Sequence, residues 1–177
     1  MLRRFGPIMQ NAFVVPDLEA AIDHWTRVMH VGPFYVFEHI PYAEILFRGR
    51  PTTIDMSAAI AYSGDLQIEL IRQYDDAPSI YSEFTRAGHS GMQHMGVMTD
   101  SVDRDLESLA RDGIEAVQHG RTAWGARFAY VGTDAQRGSH PGAMIELIER
   151  GPAINGAFKV IHEAAQSWDG SEPLRRF

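Results

Sequence analysis

Apolar positions along the chain alternate between two spacings, and the changeovers mark the elements. Ile8 to Val15 is an apolar run of buried-strand length, closed by Pro16-Asp17. Asp17 suits a helix N-cap, because its carboxylate can accept a free N–H of the first turn. Leu18, Ala21, Ile22, Trp25 and Met29 then recur at helical spacing, and Gly32-Pro33 ends that stretch. Phe34 to Ile40, rich in aromatic and β-branched residues, predicts a strand, Pro41 to Pro51 an irregular segment and Thr52 to Tyr62 another strand. Asp65 to Gln73 predicts a further strand, and Asp75 to Arg86 a loop with a short helix.

The pattern then restarts. Met92 to Thr99 predicts a strand, and Asp100-Ser101 opens a helix with Val102, Leu106, Leu109 and Ala110 on one face, ended by Gly113. Strands follow at Ile114–His119, Arg127–Gly132 and Ala143–Glu149. The order is βαβββ twice, which is an internal repeat. A tetrapeptide marks it: Ile68-Glu69-Leu70-Ile71 recurs as Ile145-Glu146-Leu147-Ile148. Each copy follows a Gly-containing turn, Ser63-Gly64-Asp65 or His140-Pro141-Gly142. Aligning the glutamates gives an offset of 146 − 69 = 77, and aligning the first strands, Gln10 on His94, gives 94 − 10 = 84. The difference of seven residues falls in loops, which absorb insertions at little cost. After Arg150, the residues Ile154, Phe158, Ile161, Ala165 and Trp168 form an apolar helical stripe with Asn155 a candidate N-cap, and Glu172 to Phe177 reads as a mobile end. The stripe either covers exposed sheet or packs on a second subunit.

Composition narrows the chemistry. The 177 residues, 45% hydrophobic, suit one globular unit or two small halves sharing a core. A net charge of −7 argues against a nucleic-acid surface. The absence of cysteine excludes disulfides, thiol nucleophiles and iron–sulfur clusters, so any metal must be held by His, Asp, Glu or Gln. The basic start Met1-Leu2-Arg3-Arg4 is not followed by an apolar run of signal-peptide length, and no stretch approaches the roughly 20 apolar residues of a membrane span. The expected location is cytoplasmic, with a small-molecule substrate as partner, no nucleic acid and no membrane.

In a strand, alternate residues share a face. Gln10, Ala12 and Val14 therefore lie together, as do Met92, His94, Gly96 and Met98. If each half curls its sheet and the two meet, Gln10, Glu69, His94 and Glu146 can face one cavity. Two carboxylates, an imidazole and an amide oxygen suit a hard or borderline divalent ion with positions left open. Taken singly, Glu69 and Glu146 are also what a solvated strand face looks like, Gln10 an edge amide, and His94 a satisfied core histidine. Their equivalent places in the repeat are what joins them. Among the other polar residues, His39, His89, His119 and His140 fall at strand ends or loops, and Trp124-Gly125-Ala126-Arg127 suits either a pocket edge or plain surface.

The Val14-Val15-Pro16-Asp17-Leu18 junction, the Gly91-Met92-Gln93-His94-Met95-Gly96 stretch and the two Ile-Glu-Leu-Ile strands resemble the vicinal oxygen chelate superfamily, over roughly residues 8–150. That superfamily includes glyoxalase I, methylmalonyl-CoA epimerase, extradiol dioxygenases and bleomycin-resistance proteins. The resemblance implies an α+β fold: two βαβββ modules, about 8–73 and 91–150, joined by a linker at 74–90, form a curled mixed sheet around one cavity, with a C-terminal helical tail at 151–177 in the same domain. It also implies metal ligands on the first and fourth strand of each module, here Gln10, Glu69, His94 and Glu146, holding Zn, Ni, Co, Mn or Mg, and pairing as a homodimer. The Gln/Glu/His/Glu set is similar to that of animal-type glyoxalase I. The expected function is a metal-dependent lyase or isomerase that stabilises an enediolate, with Glu146 as base and Glu69 as second candidate or fixed ligand. The alternative is a binding protein of the bleomycin-resistance type. A dioxygenase is disfavoured because one His stands at the ligand positions, and an epimerase because Asp55 has no clear register match.

Overall fold

A computed structural model of the chain describes residues 4–132 and 144–177; the turn expected at His140-Pro141-Gly142 lies outside them. The first half runs β1 (Ile8–Val14), α1 (Leu18–Arg27), β2 (Phe34–Phe37), β3 (Tyr42–Phe47), β4 (Arg50–Pro51), β5 (Met56–Ser63), β6 (Leu66–Gln73) and α2 (Ile80–Arg86). The second runs β7 (Gly91–Thr99), α3 (Val102–Ala110), β8 (Ala116–Thr122), β9 (Arg127–Gly132) and β10 (Met144–Glu149). α4 (Pro152–Gln166) and β11 (Leu174–Arg176) follow.

The repeat is built into the hydrogen-bond register. Within the first half, parallel β1 and β6 pair Gln10 with Gln67 and Ala12 with Glu69. Within the second, β7 and β10 pair His94 with Met144 and Gly96 with Glu146. Each pair maps onto its counterpart by adding 84 to the first residue and 77 to the second. Between the halves, antiparallel β1 and β7 pair Gln10 with Gly96 and Ala12 with His94. The same offset of 84 exchanges these two pairs, as a twofold between equivalent strands requires. The helix caps obey it too: Asp17 accepts from the Ala20 N–H at 2.9 Å, and Ser101, 84 residues later, accepts from Arg104 at 3.3 Å.

The strands form one mixed sheet in the order β11-β2-β5-β6-β1-β7-β10-β9-β8-β3-β4. Eight strand spacings separate β2 from β3, about 38 Å if flat. The chain between Phe37 and Tyr42 spans at most about 18 Å. The sheet therefore curls until its two ends approach, enclosing a cavity without closing into a barrel. Pro41–Pro51, expected to be irregular, supplies the strand that does this. Tyr42–Phe47 pairs antiparallel with β8 of the other half, a long-range partner that local sequence does not announce.

The sheet's inner face carries Ala12, Val14, Met56, Ile71, Phe128 and Tyr130. Two helices, α1 and α3, cover its outer face. α1 packs Leu18 and Ile22 on Phe34, Val36 and Leu70. α3 packs Val102 and Leu109 on Val97, Ala129 and Leu147. α4 lies on the inner, cavity side, where Phe158 and Ile161 pack on Ile60, Tyr62 and Ile148 of its own chain, so its stripe is spent internally and is not an argument for a second subunit. Three local expectations are corrected. α1 stops at Arg27, leaving Met29 exposed. Gly151, not Asn155, caps α4, because Pro152 fits the first helical position. Leu174–Arg176, expected to be mobile, adds to the edge of β2 in parallel.

Candidate metal centre

Gln10, Glu69, His94 and Glu146 stand on β1, β6, β7 and β10, the four central strands, and the fold brings all four to one place. His94 Nε2 lies 3.5 Å from Glu69 Oε2 and 3.4 Å from Glu146 Oε2. Ligand atoms of these three residues all fall within 4.8 Å of one another. Glu69 Oε2, His94 Nε2 and Gln10 Oε1 are buried without a hydrogen-bond partner. A buried polar atom left unpaired costs about 1–3 kcal/mol, and several at one spot call for a common partner.

Each inward atom is aimed from behind. Gln10 Nε2 donates to Gln67 Oε1 at 2.6 Å, and Gln67 Nε2 donates to the Tyr62 hydroxyl at 2.8 Å, which leaves the Gln10 carbonyl oxygen buried, unpartnered and lying over Gly96. His94 Nδ1 is 2.6 Å from Gln93 Oε1. Donation there leaves Nε2 as the inward nitrogen, the usual way a ligating imidazole is oriented. Gly96 makes room: a Cβ on it would come within 2.9 Å of Gln10 Cβ, so only glycine lets that side chain lie across β7.

The charges follow from burial. Desolvation raises the Glu69 pKa, the His94 contact lowers it, and the Glu146 charge raises it again. Burial alone would lower the His94 pKa, but the two carboxylates outweigh it and raise it from 6.5 to about 9. A proton on His94 and a divalent cation are thus competing answers to the same negative charge. Three oxygens and one imidazole nitrogen fit a hard or borderline divalent ion.

Gln10, Glu69 and Glu146 face a cavity of about 120 Å³ between the curled sheet and α4. Burial pushes the phenols of Tyr42, Tyr81 and Tyr130 well up, so they stay neutral. The Tyr81 and Tyr130 hydroxyls bond each other at 2.7 Å, and the Tyr130 ring meets His94 edge-on at 5.0 Å. Trp124, Ala126 and Arg127 line the cavity, which decides for the pocket-edge alternative. Asp55 does not: it is held outside by His39 Nδ1 at 2.6 Å.

Sequence reasoning missed Gln93 and Gln67. Strict alternation puts Gln93 on the face opposite His94. A bulge defeats it: Ala12 pairs with His94 but Phe13 with Met92, and Gln93 and His94 are both buried while Met92 is exposed. Gln67 was findable, two residues before Glu69 on the same face. The tyrosines carry no signal until distant strands are assembled.

Residues 9–130 match the profile of the Glyoxalase/Bleomycin resistance protein/Dioxygenase superfamily. The chain belongs to that superfamily. No curated protein sequence matches it. Among solved structures it is similar in fold to methylmalonyl-CoA epimerase from Mycobacterium tuberculosis, at 18% identity and a TM-score of 0.58, over 88% of this chain and 97% of that one. A hypothetical protein from Bacillus halodurans C-125 gives 14% and 0.58, over 82% and 94%. A variant methylmalonyl-CoA epimerase of Streptomyces coelicolor in complex with 2-nitronate-propionyl-CoA gives 14% and 0.54, over 84% and 96%. At these identities the likeness establishes the vicinal oxygen chelate fold.

Proposed function

We propose that this superfamily member is a divalent-metal-dependent isomerase or lyase of the glyoxalase type, moving a proton at a carbon next to a carbonyl. Gln10, Glu69, His94 and Glu146 are the proposed ligands. The observation that carries the reading is the convergence of three unpartnered buried atoms, on Gln10, Glu69 and His94, beside Glu146 at the wall of one cavity. A divalent ion held there supplies Lewis acidity toward a substrate oxygen.

The chain's own residues do the rest. Glu146 takes the proton from the substrate carbon and returns it, a role that needs a carboxylate within reach of the cavity. Glu69, its counterpart in the repeat, holds the opposite side and is the second candidate base. His94, oriented by Gln93, would hold the ion through Nε2 as a neutral imidazole. Gln10 contributes an oxygen without adding charge. The phenols of Tyr81 and Tyr130 offer neutral hydrogen bonds at the same wall, and the surrounding hydrocarbon excludes water, which strengthens each of these interactions.

The test is hydrogen exchange. Metal-loaded protein in heavy water should exchange the C–H next to the carbonyl of a small hydroxyketone, and Glu146→Gln should keep the metal but lose the exchange. Exchange that persists in Glu146→Gln removes that residue from the mechanism. Protein that binds small ketones yet exchanges nothing favours the sequestering alternative, which the apolar cavity also accommodates. A homodimer belongs to the same proposal on superfamily likeness alone. A cytoplasmic location does too, supported by the cysteine-free composition.

A further inference from the structure

The wall facing Gln10, Glu69 and Glu146 indicates what the cavity accepts. It is built from hydrocarbon and aromatic side chains, including Phe37, Ile60, Phe128 and Ile148. Ile154 and Phe158 complete it from α4, which lies beyond both the repeat and the residues matched by the superfamily profile. Ala153 and Ala157, on the same helix, leave open the space that larger side chains would fill. The resulting volume of about 120 Å³ is near the roughly 150 Å³ of an apolar void that takes up benzene.

Charge points the same way. An anion entering beside two buried carboxylates needs a compensating cation. Among the described residues, the cationic side chain at the cavity is that of Arg127. Its guanidinium is already engaged: Nη1 donates to Asp103 Oδ2 at 2.8 Å and Nη2 donates to Oδ1. A divalent ion would balance Glu69 and Glu146 and leave little net charge to attract an anion. The remaining polar residues of the lining, Tyr42, Tyr81, Tyr130, Thr122 and Trp124, are neutral and suit a carbonyl or hydroxyl.

Resting on the metal-site reading above, we propose that the site acts on a neutral, mainly apolar substrate, a ring or branched hydrocarbon body of about benzene size bearing carbonyl or hydroxyl oxygen, and rejects carboxylates and CoA thioesters. α4 sets that preference.

The experiment starts with elemental analysis of the purified protein. The metal-loaded form is then titrated by calorimetry, and by the fluorescence of Trp124 at the cavity rim, with 2-hydroxyacetophenone, benzoylformate and propionyl-CoA. We expect 2-hydroxyacetophenone to bind at least about tenfold more tightly than benzoylformate, a gap of about 1.4 kcal/mol, and propionyl-CoA to show no saturation at millimolar concentration. Ala157→Trp, and the milder Ala153→Leu, should weaken 2-hydroxyacetophenone at least about tenfold while metal content stays at the parent level. Benzoylformate or propionyl-CoA binding as tightly as the neutral probe overturns the substrate class, as does a neutral probe that fails to bind; the metal reading survives both. Unchanged affinity in both helix variants overturns the role of α4. Protein that holds no metal ends the metal reading instead, and the same titration on that protein still decides the apolar preference.

Discussion

Gly96→Ala tests the link between strand register and site. An added Cβ would sit 2.9 Å from Gln10 Cβ and 3.0 Å from its Cδ. Rotating the amide does not relieve the first contact, because Gln10 Cβ is fixed to β1. Either β1 separates from β7 locally or Gln10 swings away and gives up its 2.6 Å bond to Gln67. Overpacking of this kind costs about 1–3 kcal/mol. Leaving Gln67 Oε1 buried and unpaired adds about 1–3 kcal/mol. Alanine's lower unfolded-state entropy offsets about 0.5–1 kcal/mol. The net loss is about 1–5 kcal/mol, centred on about 3 kcal/mol, or about 6–12 °C in Tm at that centre for a chain of this size. Thermal melts by circular dichroism, with and without added divalent ion, measure it. Gly156→Ala is the control: a Cβ there meets nothing within 4 Å on a helix, and it should raise stability by about 0.5–1 kcal/mol. Metal-dependent stabilisation should also shrink in Gly96→Ala, because its fourth proposed ligand is displaced. A Tm within about 2 °C of the parent, with the metal response intact, would refute the view that Gly96 exists to admit Gln10.

Other outcomes follow from the same geometry. Gln93→Leu removes the partner of His94 Nδ1 and should weaken metal binding about 10–100-fold in a competition titration, while leaving the far-ultraviolet spectrum unchanged. The His94 pKa is raised to about 9 in the metal-free chain, above its ordinary 6.5. Its contribution to stability is therefore full below pH 6.5 and is lost as pH rises through 9. The metal-free protein should lose Tm over that window, whereas the increment in Tm on adding metal should grow, because the ion needs His94 Nε2 deprotonated. Apparent metal affinity should rise about tenfold per pH unit until pH 9 and then level off. Glu146→Gln should keep most of the metal, since an amide oxygen replaces a carboxylate oxygen, and lose carbonyl-linked C–H exchange.

The repeat made the centre of the molecule legible. Two Ile-Glu-Leu-Ile strands and the Gln10/His94 alignment carry the same offsets, 77 and 84, as the strand registers, so the sequence alone groups the four polar residues. What stayed hidden depends on contacts with no local signature. β3 forms because β8 arrives beside it, and β11 because the edge of β2 is open. The stripe on α4 was visible, but whether it met its own sheet or a partner depended on where the sheet ended. Gln93 was masked by a bulge that breaks the alternation on which face assignment rests. Tyr81 and Tyr130 meet across 49 residues of sequence, hydroxyl to hydroxyl and ring edge to ring face.

The central claim is that Gln10, Glu69, His94 and Glu146 form a metal site. Elemental analysis of protein purified without chelator, beside a Glu69→Ala/Glu146→Ala double variant of confirmed fold, tests it most directly. The account predicts about one divalent ion per chain in the parent, in line with a single four-ligand site, and none in the variant. A parent that holds no ion and gains no thermal stability from added Zn, Ni, Co, Mn or Mg would contradict it.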